Sequence, residues 1–120
     1  MAKVLVIEDS SFQRKILSEI LTESGFEVIL TENGREGIER TEQLKPDLII
    51  TDLLMPDVNG FQVLEAIRAK KLNVPAIIVT SDIQKTTACR CRDLGARAVL
   101  NKPVNKDQVL SAVRDAIRVP

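Results

Sequence analysis

Two hydrophobic periods alternate along this chain, and that alternation limits its fold more than any other feature. Short, apolar, β-branched runs stand at Lys3–Ile7, Glu27–Thr31, Asp47–Asp52, Ala76–Thr80 and Arg97–Asn101. Three of them contain unbroken Val/Ile/Leu stretches, VLVI, LII and IIV. Strands that are apolar on both faces need cover on both faces, as in a parallel sheet with helices above and below. The intervening segments carry the helical period. Phe12, Ile16, Leu17, Ile20 and Leu21 form one apolar stripe, with Gly25 as the stop. A second helix is predicted over Gly34–Leu44, with Pro46 beyond it, and a third from Gly60, with Phe61, Leu64 and Ile67 inward. A fourth is expected over about Gln84–Leu94, and a fifth over Lys106–Arg118 with Val109, Leu110, Val113 and Ile117 inward. The fourth has the thinnest stripe (Ala88, Cys89, Cys91 and Leu94), which predicts a loosely held helix. Repeated β–α alternation predicts a doubly wound α/β fold with a parallel sheet, in one domain spanning residues 1–120.

Composition removes several function classes. Lys plus Arg and Asp plus Glu both number 17, so the net charge is zero. That balance leaves no electrostatic footprint for direct nucleic-acid binding. No apolar run approaches the roughly 20 residues of a membrane span. The chain enters its first strand without the apolar stretch of a signal peptide, so the expectation is a cytoplasmic protein with no membrane partner. There is no His, which excludes Ser-His-Asp and Cys-His nucleophile pairs within the chain. Any phosphohistidine donor must therefore belong to another protein. Cys89 and Cys91, two apart on a helix, face away from each other and are expected to stay reduced. Two thiols without His are too few for a structural zinc site.

In open α/β sheets, sites form beyond the carboxyl ends of the strands. The first strand is followed there by Glu8 and Asp9, the third ends on Asp52, the fourth on Thr80 and Ser81, and the fifth on Asn101 and Lys102, then Pro103. Three carboxylates, a hydroxyl and an ammonium thus converge on one edge. Singly, each has an ordinary role open to it. Asp9 would serve as a helix N-cap, Asp52 as a solvated strand-end carboxylate, Thr80 as a β-branched strand residue and Lys102 as a surface lysine. Jointly they carry a charge of −2, the sum of three carboxylates and one ammonium. Like charges about 4 Å apart repel by roughly 4 kcal/mol at an effective dielectric of about 20. Such a cluster must bind a cation or raise a carboxylate pKa. Carboxylate oxygens with a backbone carbonyl and waters suit Mg²⁺.

The motifs EDS at 8–10, TDLLMPDVNG at 51–60, VTSD at 79–82 and LNKP at 100–103 occur in this order over the whole chain. The sequence resembles the receiver domains of two-component response regulators, including stand-alone, CheY-like chemotaxis receivers. The resemblance implies a flavodoxin-like sheet of five parallel strands in the order 2-1-3-4-5, with five helices. It implies Asp52 as phospho-acceptor, Asp9 as a direct Mg²⁺ ligand and Glu8 as its acidic neighbour. Leu54 would lend the metal its backbone carbonyl, Lys102 would pair with phosphoryl oxygens, and Thr80 would be the switch hydroxyl. Met55, Pro56 and Gly60 match the loop after the acceptor, and Pro103 a proline that often follows a cis bond. The implied partners are a sensor histidine kinase and a downstream effector or chemotaxis-type phosphatase. The implied activity is limited to the domain's own phosphorylation and dephosphorylation.

One position departs from the family pattern. The switch aromatic, usually Tyr or Phe three residues before the lysine, is Val99 here. The output surface is therefore expected to respond without a ring rotation. That surface is expected on the fourth helix, fifth strand and fifth helix, where Lys85, Arg92, Arg97 and Lys106 would be exposed. A solvated basic face is the plain alternative. Asp82 and Leu54 lie where side chains tune dephosphorylation in the family. Three rivals stand beside this reading. A pseudo-receiver would keep the fold without the chemistry. An aspartyl-phosphate phosphatase would need a general-acid Asp where Leu54 stands. A flavodoxin-like electron carrier would lack its stacking rings, since there is no Trp or Tyr and Phe12, Phe26 and Phe61 are expected in the core.

Overall fold

The computed structural model describes residues 2–118. Strands and helices alternate in the order β1 (Lys3–Ile7), α1 (Ser11–Glu23), β2 (Glu27–Thr31), α2 (Gly34–Leu44), β3 (Leu48–Asp52), α3 (Gly60–Ala69), β4 (Ala76–Thr80), α4 (Lys85–Asp93), β5 (Ala98–Asn101) and α5 (Lys106–Arg118). All pairings are parallel, and the strand order is β2-β1-β3-β4-β5. The expected fold is the observed one. β3 and β5 each start one residue later than expected, at Leu48 and Ala98, and α4 is trimmed to Lys85–Asp93.

The order reverses at β1: the chain leaves it to one side for β2, then crosses back to pair β3 on the other. That reversal opens a crevice beyond the carboxyl ends of β1 and β3. Alternate strand residues feed two separate cores. Leu5, Ile7, Ile49 and Ile78 pack beneath α3 and α4 through Val63, Leu64, Ile67 and Cys91. Val4, Val6, Ile50, Ile77 and Val79 meet α1 and α5 through Leu17, Leu21, Val109 and Val113. Every residue of β3 and β4 is buried, as the unbroken apolar runs require. Each large aliphatic side chain so covered contributes about 1.5–3 kcal/mol.

The helix starts are set by local hydrogen bonds. Ser10, not Asp9, caps α1, its side chain accepting from the Gln13 amide at 3.3 Å. Asn33 caps α2, and Asn59 with Gln62 forms a reciprocal capping box on α3. Asp9 is thereby left free of the ordinary structural role open to it. Gly25 follows α1 at φ +90°, a conformation that favours glycine. Phe12 is a correction: it is 68% exposed, although its spacing put it on the apolar stripe. At 3.6 residues per turn it lies about 140° round α1 from Leu17 and about 180° from Leu21, the two buried residues of that helix, so its ring faces away from the sheet. Phe26 and Phe61 are half-buried against the two cores, as expected. Cys91 is buried, Cys89 is exposed, and both are free thiols.

Gly60 ties α3 to the end of β3. Its amide donates to the Leu53 carbonyl at 2.8 Å. A Cβ there would lie 2.8 Å from both the Asp52 carbonyl oxygen and the Leu53 Cα. Those are backbone atoms and cannot yield as a side chain tip can. Gly60→Ala is expected to cost about 1–3 kcal/mol, the range for overpacking. Urea unfolding would read the loss, and an unchanged midpoint would show that the loop and helix do not approach this closely.

Candidate functional site

At the carboxyl edge, β1 hands over to Glu8 and Asp9, β3 ends on Asp52, β4 on Thr80, and β5 leads into Lys102. Glu8 and Asp52 are buried, and Asp9 is exposed. A carboxylate oxygen from each of Glu8, Asp9 and Asp52 lies within 4.8 Å of the others. Ligand oxygens about 2.1 Å from one octahedral ion stand no more than about 4.2 Å apart. The three oxygens are therefore close enough together for one hard divalent cation to be held among them. Leu54 lies two residues past Asp52 in the loop and is 62% exposed. The peptide bond between Lys102 and Pro103 is cis, in keeping with the resemblance.

Lys102 binds the edge together. Its Nζ donates to Glu8 Oε1 at 3.0 Å and stands 3.3 Å from Asp52 Oδ2. The side chain thus crosses from the end of β5 over β4 to the ends of β3 and β1. Burial opposes its charge, but Glu8 and Asp52 outweigh that and raise its pKa. The other Asp52 oxygen, Oδ1, accepts from the Leu53 amide at 2.8 Å. Glu8 is the group under most strain. Burial pushes its pKa up to about 7, the Ser10 amide and Lys102 pull it down, and the charge of Asp52 adds to the rise. Thr80 is buried, and its Oγ1 accepts from the Asp82 amide at 3.1 Å.

The structure brings Glu8, Asp9, Asp52 and Lys102 together, while the Thr80 hydroxyl and the Asn101 amide both meet the Asp82 backbone. Two further residues support the edge, and the sequence reading missed the first of them. Arg14 donates from Nη1 to the Glu8 carbonyl at 2.8 Å, fixing the backbone between β1 and α1. Its position one turn past the Ser10 cap, on the flank of α1 facing the edge, is the signal that would have found it. Asp82 was singled out for its offset from Thr80, and the structure adds its carboxylate bonds to the Gln84 amide and the Thr87 hydroxyl.

A family model described as the response regulator receiver domain matches residues 4–114. The chain belongs to the response-regulator receiver family. It is 35% identical over 115 residues to protein PilH of Pseudomonas aeruginosa, covering 94% of this chain and 95% of that one. It is 31% identical over 119 residues to the chemotaxis protein CheY of Listeria monocytogenes, covering 98% and 100%. Among solved structures, Vibrio cholerae chemotaxis protein CheY4 superposes with a TM-score of 0.90 at 30% identity, over 97% of this chain and 98% of that one. The protein is thus a receiver domain of two-component response regulators, with the CheY-like fold. No helix among the described residues is long and apolar enough to cross a membrane.

The raised pKa of Glu8 has a consequence for metal-free receiver stability. Glu8 binds its proton more tightly when folded than when unfolded, where its pKa is near 4.5. The resulting stabilisation is complete below that ordinary value and is lost as pH rises through about 7. Glu8→Gln removes the titration. In a chelator, wild type is expected to lose on the order of 2–3 kcal/mol relative to Glu8→Gln between about pH 5 and about pH 8. Urea unfolding at the two pH values measures this, and a constant difference would show that Glu8 keeps an ordinary pKa.

Proposed function

We propose that Asp52 accepts a phosphoryl group from a phosphohistidine on a sensor histidine kinase, and that residues 1–120 work as one receiver domain whose partner-binding surface changes with that modification. The observation that carries this reading is Lys102 Nζ lying within reach of both Glu8 and Asp52 at the crevice of the sheet. A carboxylate oxygen of Asp52 attacks phosphorus, the P–N bond breaks, and the departing imidazole nitrogen takes up a proton. The transfer asks for placement and charge neutralisation more than for acid–base groups. Glu8, Asp9, Asp52 and the Leu54 backbone carbonyl are the residues we assign to Mg²⁺. That ion would offset the carboxylate charge and supply electrostatic stabilisation of phosphoryl oxygens.

This chain's own residues do the rest. Asp9, exposed at the mouth, is the carboxylate open to an arriving ion. Glu8 holds Lys102 from behind. Lys102 is charged and poised to move from a carboxylate to a phosphoryl oxygen. Thr80, at the end of β4, supplies a hydroxyl. A phosphoryl group brings up to about two negative charges, which favours the approach of both. The domain catalyses only its own phosphorylation and dephosphorylation in this reading.

We place the protein in the cytoplasm, with a sensor histidine kinase as donor and an effector protein or chemotaxis-type phosphatase as output partner. An open groove of about 650 Å³ between β5 and α5 lies on the face we assign to the output partner. Lys85, Arg92, Arg97 and Lys106 are exposed on or near that face.

Acetyl phosphate, with and without Mg²⁺, tests the acceptor. One phosphoryl group is expected by intact mass only with Mg²⁺, on the wild type and not on Asp52→Asn. Mass is the suitable readout because the chain has no Trp to report by fluorescence. No addition under any condition would favour a pseudo-receiver, and addition to Asp52→Asn would move the acceptor elsewhere.

A further inference from the structure

Receiver action requires that a change at Thr80 be felt at the surface, and this chain has Val99, not an aromatic ring, where the family pattern expects one. The segment between β4 and α4 offers another connection. Every polar group of Asp82 is engaged. Its amide donates to Thr80 Oγ1 at 3.1 Å, and its carbonyl accepts from Asn101 Nδ2 at 3.3 Å. Its Oδ1 accepts from the Gln84 amide at 2.9 Å, and its Oδ2 from the Thr87 hydroxyl at 2.7 Å. One residue therefore spans the end of β4, the end of β5 and the first turn of α4. The two donors to its carboxylate hold its pKa below the ordinary range, so it stays an ionised, strong acceptor.

α4 depends on this attachment more than other helices depend on theirs. Its N-cap residue, Gln84, makes no side-chain capping bond. Cys91 is its only buried residue. Its other side-chain holds lie further along: Arg90 stands over the Phe61 ring at 3.9 Å, and Arg68 donates to the Asp93 carbonyl at 2.8 Å. The first turn is thus tied by Asp82, and the rest of the helix by Cys91 in the core and by Phe61 and Arg68 of α3. A helix with little buried apolar surface belongs to the low-stability end of a fold and is readily biased between two placements.

Thr80 already uses an acceptor position of its hydroxyl on Asp82, which leaves the O–H proton to donate elsewhere. Drawing that oxygen toward a group on Asp52 lengthens a bond that is already 3.1 Å, near the limit of an N–H···O contact. The Asp82 amide must then follow or let go. Either response moves the carboxylate that grips Thr87.

We propose that Asp82 is the positioning residue that couples Thr80 to α4: its amide orients the Thr80 hydroxyl, and its carboxylate clamps the first turn of the helix. The coupling needs no ring rotation, which is why Val99 is tolerated. It rests on the reading of Asp52 as phospho-acceptor and goes beyond it in naming the connection.

The test is an amide NMR comparison of the full chain with and without beryllofluoride and Mg²⁺, beryllofluoride being the phosphoryl mimic. Wild type is expected to shift around Asp52 and Thr80 and also across 85–93. Thr87→Val, which removes one hydroxyl and keeps the shape, should preserve the shifts at Asp52 and Thr80. Its shifts across 85–93 should fall at least about two-fold, as expected when one of two biased elements is released. Asp82→Ala should do the same, and Thr87→Ser should restore the response. A merely structural bond would change the resting spectrum without changing the response to the mimic. An undiminished α4 response in both Thr87→Val and Asp82→Ala overturns the coupling while leaving Asp52 as acceptor. No shift anywhere in wild type overturns the acceptor reading and the coupling together.

Discussion

Glu8 and Asp52 are buried at the end of an apolar sheet, and a single ammonium answers both. Little about such an arrangement favours stability. Removing charges from water costs several kcal/mol per ion, and mutual attraction returns this only with complete hydrogen bonding. The structure meets that condition narrowly. Glu8 has the Ser10 amide and Lys102, and Asp52 has the Leu53 amide and the same lysine. Even so, Glu8 holds a proton to about pH 7. A cluster kept at this cost at the switch point of an α/β sheet is what a cation-binding, anion-accepting site requires. The apolar strands push it to their ends: Asp52 is the last residue of β3, and Glu8 follows the last residue of β1.

The same logic explains why the fold was readable from the sequence. β3 and β4 are buried along their whole lengths, so their patterns carry no polar interruption until the chemistry begins at Asp52 and Thr80. Periodicity and punctuation then coincide, and the end of a strand is also the start of the site. α5, with Val109, Val113 and Ala116 buried on one face, was legible for the same reason. Phe12 was not. It joins the stripe only through Ile16 and Ile20, which are themselves half-buried at the edge of the face that Leu17 and Leu21 define. Close approaches were equally silent. Gly37 admits Ile7, whose Cδ1 would collide with an added Cβ, and nothing local in the sequence distinguishes it from a capping glycine. Arg14 also reads as an ordinary helix arginine until the Glu8 carbonyl is seen within 2.8 Å of it.

The molecule is unevenly held, and the unevenness has a direction. On one face, α1 and α5 both bury long aliphatic side chains against the sheet. On the other, α3 contributes Val63, Leu64 and Ile67, whereas α4 contributes Cys91 alone from its own length. The thiol of Cys91, its pKa raised chiefly by burial, behaves there as a small apolar group. The weak stripe of α4 in the sequence and its thin burial in the structure are one fact seen twice. A helix that is poorly anchored by packing must be placed by directional bonds, and directional bonds break over a few tenths of an ångström, where packing would yield gradually. α4 is therefore suited to two placements, and its first turn is tied through Asp82 to the buried Thr80 hydroxyl at the end of β4. The absence of a ring at Val99 is then no defect. A polar relay through the loop after β4 reaches α4 without it, from Thr80 through Asp82 to Thr87.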